Sequence, residues 1–163
     1  RRERQLCIRD RAGLLVVLGC QKEDLSDNAL KNCVDVVHDY AYLRDRQDGQ
    51  GVSDLFTNTG VFSIFGETFQ GQEAIRERVN GEVSGPVTRH LVSTVEVQPR
   101  GSGEALGVSY VTVYVGPRSK STNPMEVEGF AGIGEYHDRF VLTNSNCKIQ
   151  SREFVPVFTY QDD

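Results

Sequence analysis

Asp45 stands out because of the residues that precede it. Leu30, Cys33, Val34, Val37 and Ala41 recur at i, i+3, i+4, i+7 and i+11, one face of an α-helix. Four residues beyond Ala41 that stripe reaches Asp45, and three beyond Val37 it reaches Tyr40. A carboxylate and a phenol therefore fall on the face that otherwise builds a core. An inward carboxylate is costly unless paired or hydrogen-bonded, so Asp45 belongs to a structural polar network or to the wall of a polar pocket. A frayed helix end that turns it to water, as expected of Asp48, suits the position as well. The partner to consider is His90, in the segment TRHLVSTVEV. Strand alternation puts His90 on one face with Thr88, Val92 and Thr94, and Leu91, Val95 and Val97 on the other. That mixed face suits a pocket wall and equally a solvated sheet surface. Imidazole, with an ordinary pKa of about 6.5, suits general-base work near neutrality, and a carboxylate behind it fixes the tautomer and stabilises the imidazolium. His38 lies beside the helix stripe and His137 in a strand, and neither has a comparable partner by spacing.

The positioning elements are legible in outline. Ser26 is a good N-cap for the first helix, Leu25 and Leu30 suit a hydrophobic staple, and Gly49 and Gly51 are expected to end it. A helical turn follows over 52–56. Val61 to Phe65 is a β-rich run closed by Gly66, with 68–70 pairing back. Ile75 and Val79 mark a second helix over 72–79, broken by Gly85-Pro86. Long strands are expected over 87–98, 104–115, 130–142 and 147–158. Helices first and antiparallel strands later indicate α+β, with helices covering one face of a curved sheet.

At 163 residues the chain suits one domain. Its net charge is −5, but residues 1–11 hold five Arg against Glu3 and Asp10, so the remainder carries 13 basic and 21 acidic residues, about −8. Such a body repels phosphate backbones, and nucleic acid is not expected as a partner. Cys7, Cys20, Cys33 and Cys147 are widely spaced and suggest neither a zinc site nor a disulfide framework; no metal is expected. No cofactor is implied, because there is no phosphate loop and the glycines of 129–134 lie in a strand pattern with no following helix. Residues 12–20, AGLLVVLGC, follow an Arg-rich stretch and resemble a bacterial lipoprotein signal with Cys20 as the lipidated residue; an amino-terminal strand or helix packed on the domain is the alternative. Residues 5–11, QLCIRDR, resemble translated adapter sequence. We therefore read 1–27 as an extension and 28–160 as the domain. The expected location is the bacterial cytoplasm or a lipid-anchored place in the cell envelope, with contact to membrane only through that anchor.

Tyr40-Ala41-Tyr42-Leu43-Arg44-Asp45-Arg46-Gln47-Asp48 resembles the first-helix signature of SnoaL-like proteins of the nuclear transport factor 2-like superfamily, Tyr-x-x-x-x-Asp-x-x-Asp. Phe56 to Phe62 is similar to the following Phe-x-x-Asp-Gly segment, with Thr59 replacing Asp. The run 69–75 resembles the Gly-x-x-Ala-Ile helix start, 88–93 the strand histidine, and 134–138 and 148–152 the last two strands. One departure is Asn146-Cys147 where the family commonly has Gly-Trp. The resemblance spans about 28–158 and implies a cone-shaped sheet that packs against amino-terminal helices and encloses a pocket. In members resembling scytalone dehydratase, bile-acid dehydratase and hexachlorocyclohexane dehydrochlorinase, an Asp-His pair abstracts a proton, and Asp45 and His90 fall on those positions. The expectation is then a lyase or isomerase, with His90 as base, Asp45 orienting it, and Tyr40 or Tyr110 donating to a substrate oxygen. Phe56, Phe62, Phe65 and Tyr110 are expected to line a mostly apolar cavity for a polycyclic, terpenoid or aromatic molecule. Arg152 is available to an acidic substrate group, although a surface ion pair is its ordinary role. The alternatives are a non-catalytic binding module for an apolar metabolite and an association subunit like the small subunit of ring-hydroxylating dioxygenases. A homodimer formed through the open sheet face is expected in each case.

Overall fold

A computed structural model describes residues 27–101, 103–118, 124, 127, 130–143 and 146–159. The expected lipidation at Cys20 and the adapter-like stretch lie outside the described residues. Helix α1 (Asp27–Asp45) and the short α2 (Gly49–Asp54) precede strands β1 (Phe56–Ile64) and β2 (Glu67–Gln70). Helix α3 (Gly71–Asn80) is followed by the long strands β3 (Val87–Pro99), β4 (Glu104–Gly116), β5 (Gly132–Thr143) and β6 (Asn146–Thr159). The six strands form one sheet in the order β2-β1-β6-β5-β4-β3, antiparallel except for the β1–β6 pair. The class is α+β, as the order of periodicities implies.

Helix α1 stops earlier than the glycines suggest. Gln47 adopts a left-handed conformation (φ 57°) that breaks the helix. Asp48 faces water as expected and also caps α2, its Oδ1 accepting from the Gly51 N–H at 2.9 Å. Gly49 and Gly51 thus begin a helix rather than end one.

The core lies between α1 and the inner sheet face. Cys33, Val37, Tyr40, Phe56, Ile75, Val111, Phe140 and Ile149 are all buried within it. Each fully buried large apolar side chain stabilises by roughly 1.5–3 kcal/mol. Rings fill the centre: Tyr40 lies 5.6 Å from Tyr136 and 6.1 Å from Phe62, and Tyr136 lies 5.8 Å from Phe154. Gly134 makes this packing feasible, because a Cβ there would sit 2.6 Å from both the Phe154 ring and the Val155 carbonyl.

Two cysteines widely separated in sequence correct the expectation that their spacing suggests no disulfide. Cys33 on α1 and Cys147 at the start of β6 form a disulfide across 114 residues. Spacing carried no sign of it, because the pairing is made only when α1 lies along the sheet.

Strand β3 also departs from simple alternation. Thr94 has φ 49°, and the β3–β4 register shifts between Ser93 and Glu96. This bulge returns the half-buried Val95 and Val97 to the same face as His90 and leaves Thr94 exposed.

Candidate functional site

Helix α1 and the edge strand β3 bring Asp45 and His90 into contact. Asp45 Oδ1 lies 2.6 Å from His90 Nδ1, Oδ2 accepts the His90 backbone N–H at 3.0 Å, and the Thr88 hydroxyl donates to Oδ1 at 3.2 Å. The two side chains are only 10% and 9% exposed. β3 pairs with β4 on one side only, so its outer N–H groups need acceptors. Asp45 supplies one, which ties the carboxylate to the backbone as well as to the imidazole. Burial pushes the Asp45 carboxyl up, but the hydrogen bonds from His90 and Thr88 and the adjacent imidazole outweigh it and hold it below the usual carboxylate range. An ionised Asp45 places the imidazole proton on Nδ1, leaving the Nε2 lone pair as the basic site.

The end of α1 is anchored on the turn after α3. Arg44 pairs with Glu82, which also holds Arg78, and the Gln47 amide donates to the Glu82 carbonyl at 2.7 Å. Asp45 is therefore positioned from both sides of its own helix turn.

The dyad opens on a groove of about 450 Å³ along the α1–β3 seam. His38, Ala41, Tyr42 and Asp45 line it from the helix, Arg46 from the turn that follows, and Arg89, His90 and Val92 from the strand. Positions 38, 41, 42 and 45 are one helix face, so the lining on that side follows from the spacing that located Asp45. Arg89 carried no such signal, since alternation aims it away from His90, and it reaches the groove because β3 is an edge. Another hollow, about 540 Å³, is lined by Phe56, Gln72 and Lys148 among others. It is larger but holds no imidazole, and its Asp54 carboxylate accepts from Gln50 while its Lys148 ammonium donates to the Asp54 carbonyl, so the chemistry favours the α1–β3 groove.

The remaining site expectations divide. Tyr40 is fully buried, and its raised pKa comes from that burial, partly offset by Arg152 and Arg44. It is a core ring outside the groove lining, which corrects its assignment as a proton donor to substrate. Phe56 and Phe62 are core residues too, and neither lines the dyad groove. Phe65 is 70% exposed at the β1–β2 turn, packed edge-on against Phe154. Tyr110 is 46% exposed because Ser109 and Val111 take the inner positions of β4. The apolar cavity expected from these four residues is not formed by them, since two fill the core and two face outward.

Arg152 is neither a surface ion pair nor a groove residue. It is fully buried, its Nε and Nη2 donate to Asp138 at 2.8 and 2.7 Å, and its guanidinium lies 4.1 and 4.4 Å from the Tyr40 and Tyr136 ring centres. Burial works against its charge, but Asp138 outweighs that and raises its pKa. Asp138, which sequence reasoning passed over, faces Arg152 across the β5–β6 register. Among the described residues no group of three His, Cys, Asp or Glu side chains is placed to hold a metal ion.

The sequence profile of the SnoaL-like domain matches residues 28–153. The chain belongs to the SnoaL-like domain family. Solved structures agree on the fold. This SnoaL-like domain superposes on a protein of unknown function from Mycobacterium tuberculosis with a TM-score of 0.67 and 24% identity, covering 78% of this chain and 70% of the other. A Novosphingobium aromaticivorans protein assigned as a scytalone dehydratase gives 0.66 at 20% identity, covering 82% and 87%. The beta subunit of a protein assigned as an aromatic-ring-hydroxylating dioxygenase, from the same organism, gives 0.68 at 15% identity, covering 84% and 94%. At these identities the likeness establishes the fold, of the nuclear transport factor 2-like and cystatin-like type. No match to this sequence is found among curated proteins.

Proposed function

We propose that this SnoaL-like domain is a cofactor-independent lyase or isomerase, dehydratase-like in its chemistry. The observation that carries this reading is the 2.6 Å contact between His90 Nδ1 and Asp45 Oδ1 at the floor of an open groove. His90 Nε2 takes a proton from a carbon next to a carbonyl. The C–H electron pair becomes the new C=C bond, the β-hydroxyl leaves, and the proton held by His90 returns to it, releasing water. In isomerisation the same proton returns to another carbon. Asp45 stays ionised throughout and stabilises the imidazolium. Turnover of hydroxylated polycyclic ketones, followed by absorbance of the conjugated product, tests the assignment with wild type, Asp45→Asn and His90→Ala. Loss in both variants is expected; equal rates in all three remove the dyad.

A second reading is favoured by the packed interior. Tyr40, Phe62, Tyr136 and Phe154 occupy the layer beneath α1, as suits an association subunit, and one structural neighbour is a dioxygenase beta subunit by assignment. A non-catalytic binding module for an apolar metabolite uses the same groove without turnover. Exposed Leu106, Val108 and Tyr110 on β4 support a homodimer through the outer sheet face, checked by light scattering. The Cys33–Cys147 disulfide supports an oxidising compartment, hence the lipid-anchored envelope location rather than the cytoplasm; an unmodified Cys20 in protein from bacterial membranes overturns the anchor.

A further inference from the structure

The groove holds more positive charge than its dyad needs. Arg46 and Arg89 both line it. Among the described residues, Arg44, Arg76, Arg78 and Arg152 are each paired with a carboxylate, whereas Arg46 and Arg89, like Arg100, Arg118 and Arg139 outside the groove, have none. Their hydrogen bonds go to carbonyls instead, Arg46 to Tyr42 O at 3.1 Å and Arg89 to Thr88 O at 2.6 Å. The Arg46 guanidinium also lies 3.3 Å from the centre of the Tyr42 ring, which restricts its side chain at the rim. Each guanidinium has five N–H donors, so single carbonyl contacts leave most of them unused. The chain carries a net charge of −5, which makes two unpaired guanidiniums in one groove a local reversal of the protein's field.

We propose that the molecule taken by this groove bears a carboxylate, held by Arg46 and Arg89 while its carbon skeleton lies toward Ala41 and Val92 and its acidic C–H faces His90. The proposal names the substrate class of the dyad site and rests on that reading. Apart from its imidazoles, the lining carries two arginines against the one ionised Asp45, a net charge of +1 that a monoanion balances and a phosphate dianion exceeds. Guanidinium geometry matches the two coplanar oxygens of a carboxylate. The Tyr42 ring at the rim offers an apolar surface to the same ligand, so an aromatic or polycyclic acid fits better than a small one.

Binding of 2-naphthoate against its neutral isostere 2-naphthamide tests this, read by naphthyl fluorescence, which no tryptophan obscures because the chain has none. The acid is expected to bind about tenfold more tightly than the amide, and added salt is expected to shrink that ratio. The double substitution Arg46→Gln, Arg89→Gln should bring the ratio to about one while leaving the amide's affinity in place, which also shows that the variant folds. A ratio near one in the native protein, an unchanged ratio in the double variant, or tighter binding of 2-naphthyl phosphate overturns the proposal. Asp45→Asn separates it from the dyad reading: the acid preference is retained there, because a negative charge has been removed from the groove, even though turnover is lost. Turnover unaffected by Asp45→Asn, with the arginine-dependent preference intact, removes the dyad and leaves the carboxylate site.

Discussion

Replacing Asp45 with Asn removes one charge and almost no volume, so its consequences follow from hydrogen-bond direction. The backbone N–H of His90 can only donate, and it points at Asp45 Oδ2 from 3.0 Å. The carboxamide introduced by Asp45→Asn must therefore turn its oxygen to that N–H and its NH2 group to His90 Nδ1. An NH2 facing Nδ1 requires a lone pair there, which moves the imidazole proton to Nε2, the atom needed as a base. The Thr88 hydroxyl rotates from donor to acceptor. Activity is then expected to fall by up to about 10⁴, the loss that follows when the orienting aspartate of a Ser-His-Asp triad is amidated. Three charge-assisted bonds, from His90 Nδ1, the His90 backbone N–H and Thr88 Oγ1, become neutral, a loss of about 1 kcal/mol each, or about 3 kcal/mol in all. For a chain of this size that lowers the melting temperature by about 6–12 °C. The sign with pH follows from the depressed Asp45 carboxyl. Its stabilisation is complete above the ordinary carboxylate value of about 3.9 and disappears as pH falls through the lower native value. The difference between wild type and variant should therefore be full at neutral pH and shrink in acid. Urea unfolding at several pH values measures the energies, and long-range ¹H–¹⁵N spectra of His90 report the tautomer. A variant that keeps its proton on Nδ1, or loses the same stability at neutral and acid pH, refutes the reasoning.

Arg152→Met should cost about 3–5 kcal/mol, because it leaves Asp138 charged and unpaired in the core; adding Asp138→Asn should recover much of it, as a double-mutant cycle of denaturant midpoints would show. Reducing the Cys33–Cys147 bridge, or replacing both residues with Ser, should destabilise by about 2–4 kcal/mol, measured by thermal unfolding with and without reductant. Gly134→Ala should lower the melting temperature more than Gly66→Ala, since only the first places a Cβ against neighbouring atoms, whereas Gly66 needs only its left-handed backbone; equal shifts would show that packing around Phe154 yields.

The α+β class, the long strands and the first helix were legible in residue order, because hydrophobic periodicity is a local property that survives without knowledge of the fold. Asp45 was legible for the same reason, a carboxylate continuing an apolar stripe, and His90 as an imidazole on a strand of mixed polarity. Their meeting was legible only through the family resemblance and not from spacing, because it depends on α1 crossing the free edge of β3, a contact between residues 45 positions apart. The inward or outward choice for Tyr110 was equally hidden. Alternation says that Tyr110 opposes Ser109 and Val111, and only the packing of α1 on the sheet decides which side is inside. Arg152 read as a surface charge because its type is usually exposed; the opposite strand supplies Asp138, and two tyrosine rings close over the pair. The same holds for Cys33 and Cys147. Spacing along a chain determines which face a side chain occupies, and tertiary structure alone determines what that face meets, because the energy of a buried charge, thiol or imidazole is set by its neighbours in space.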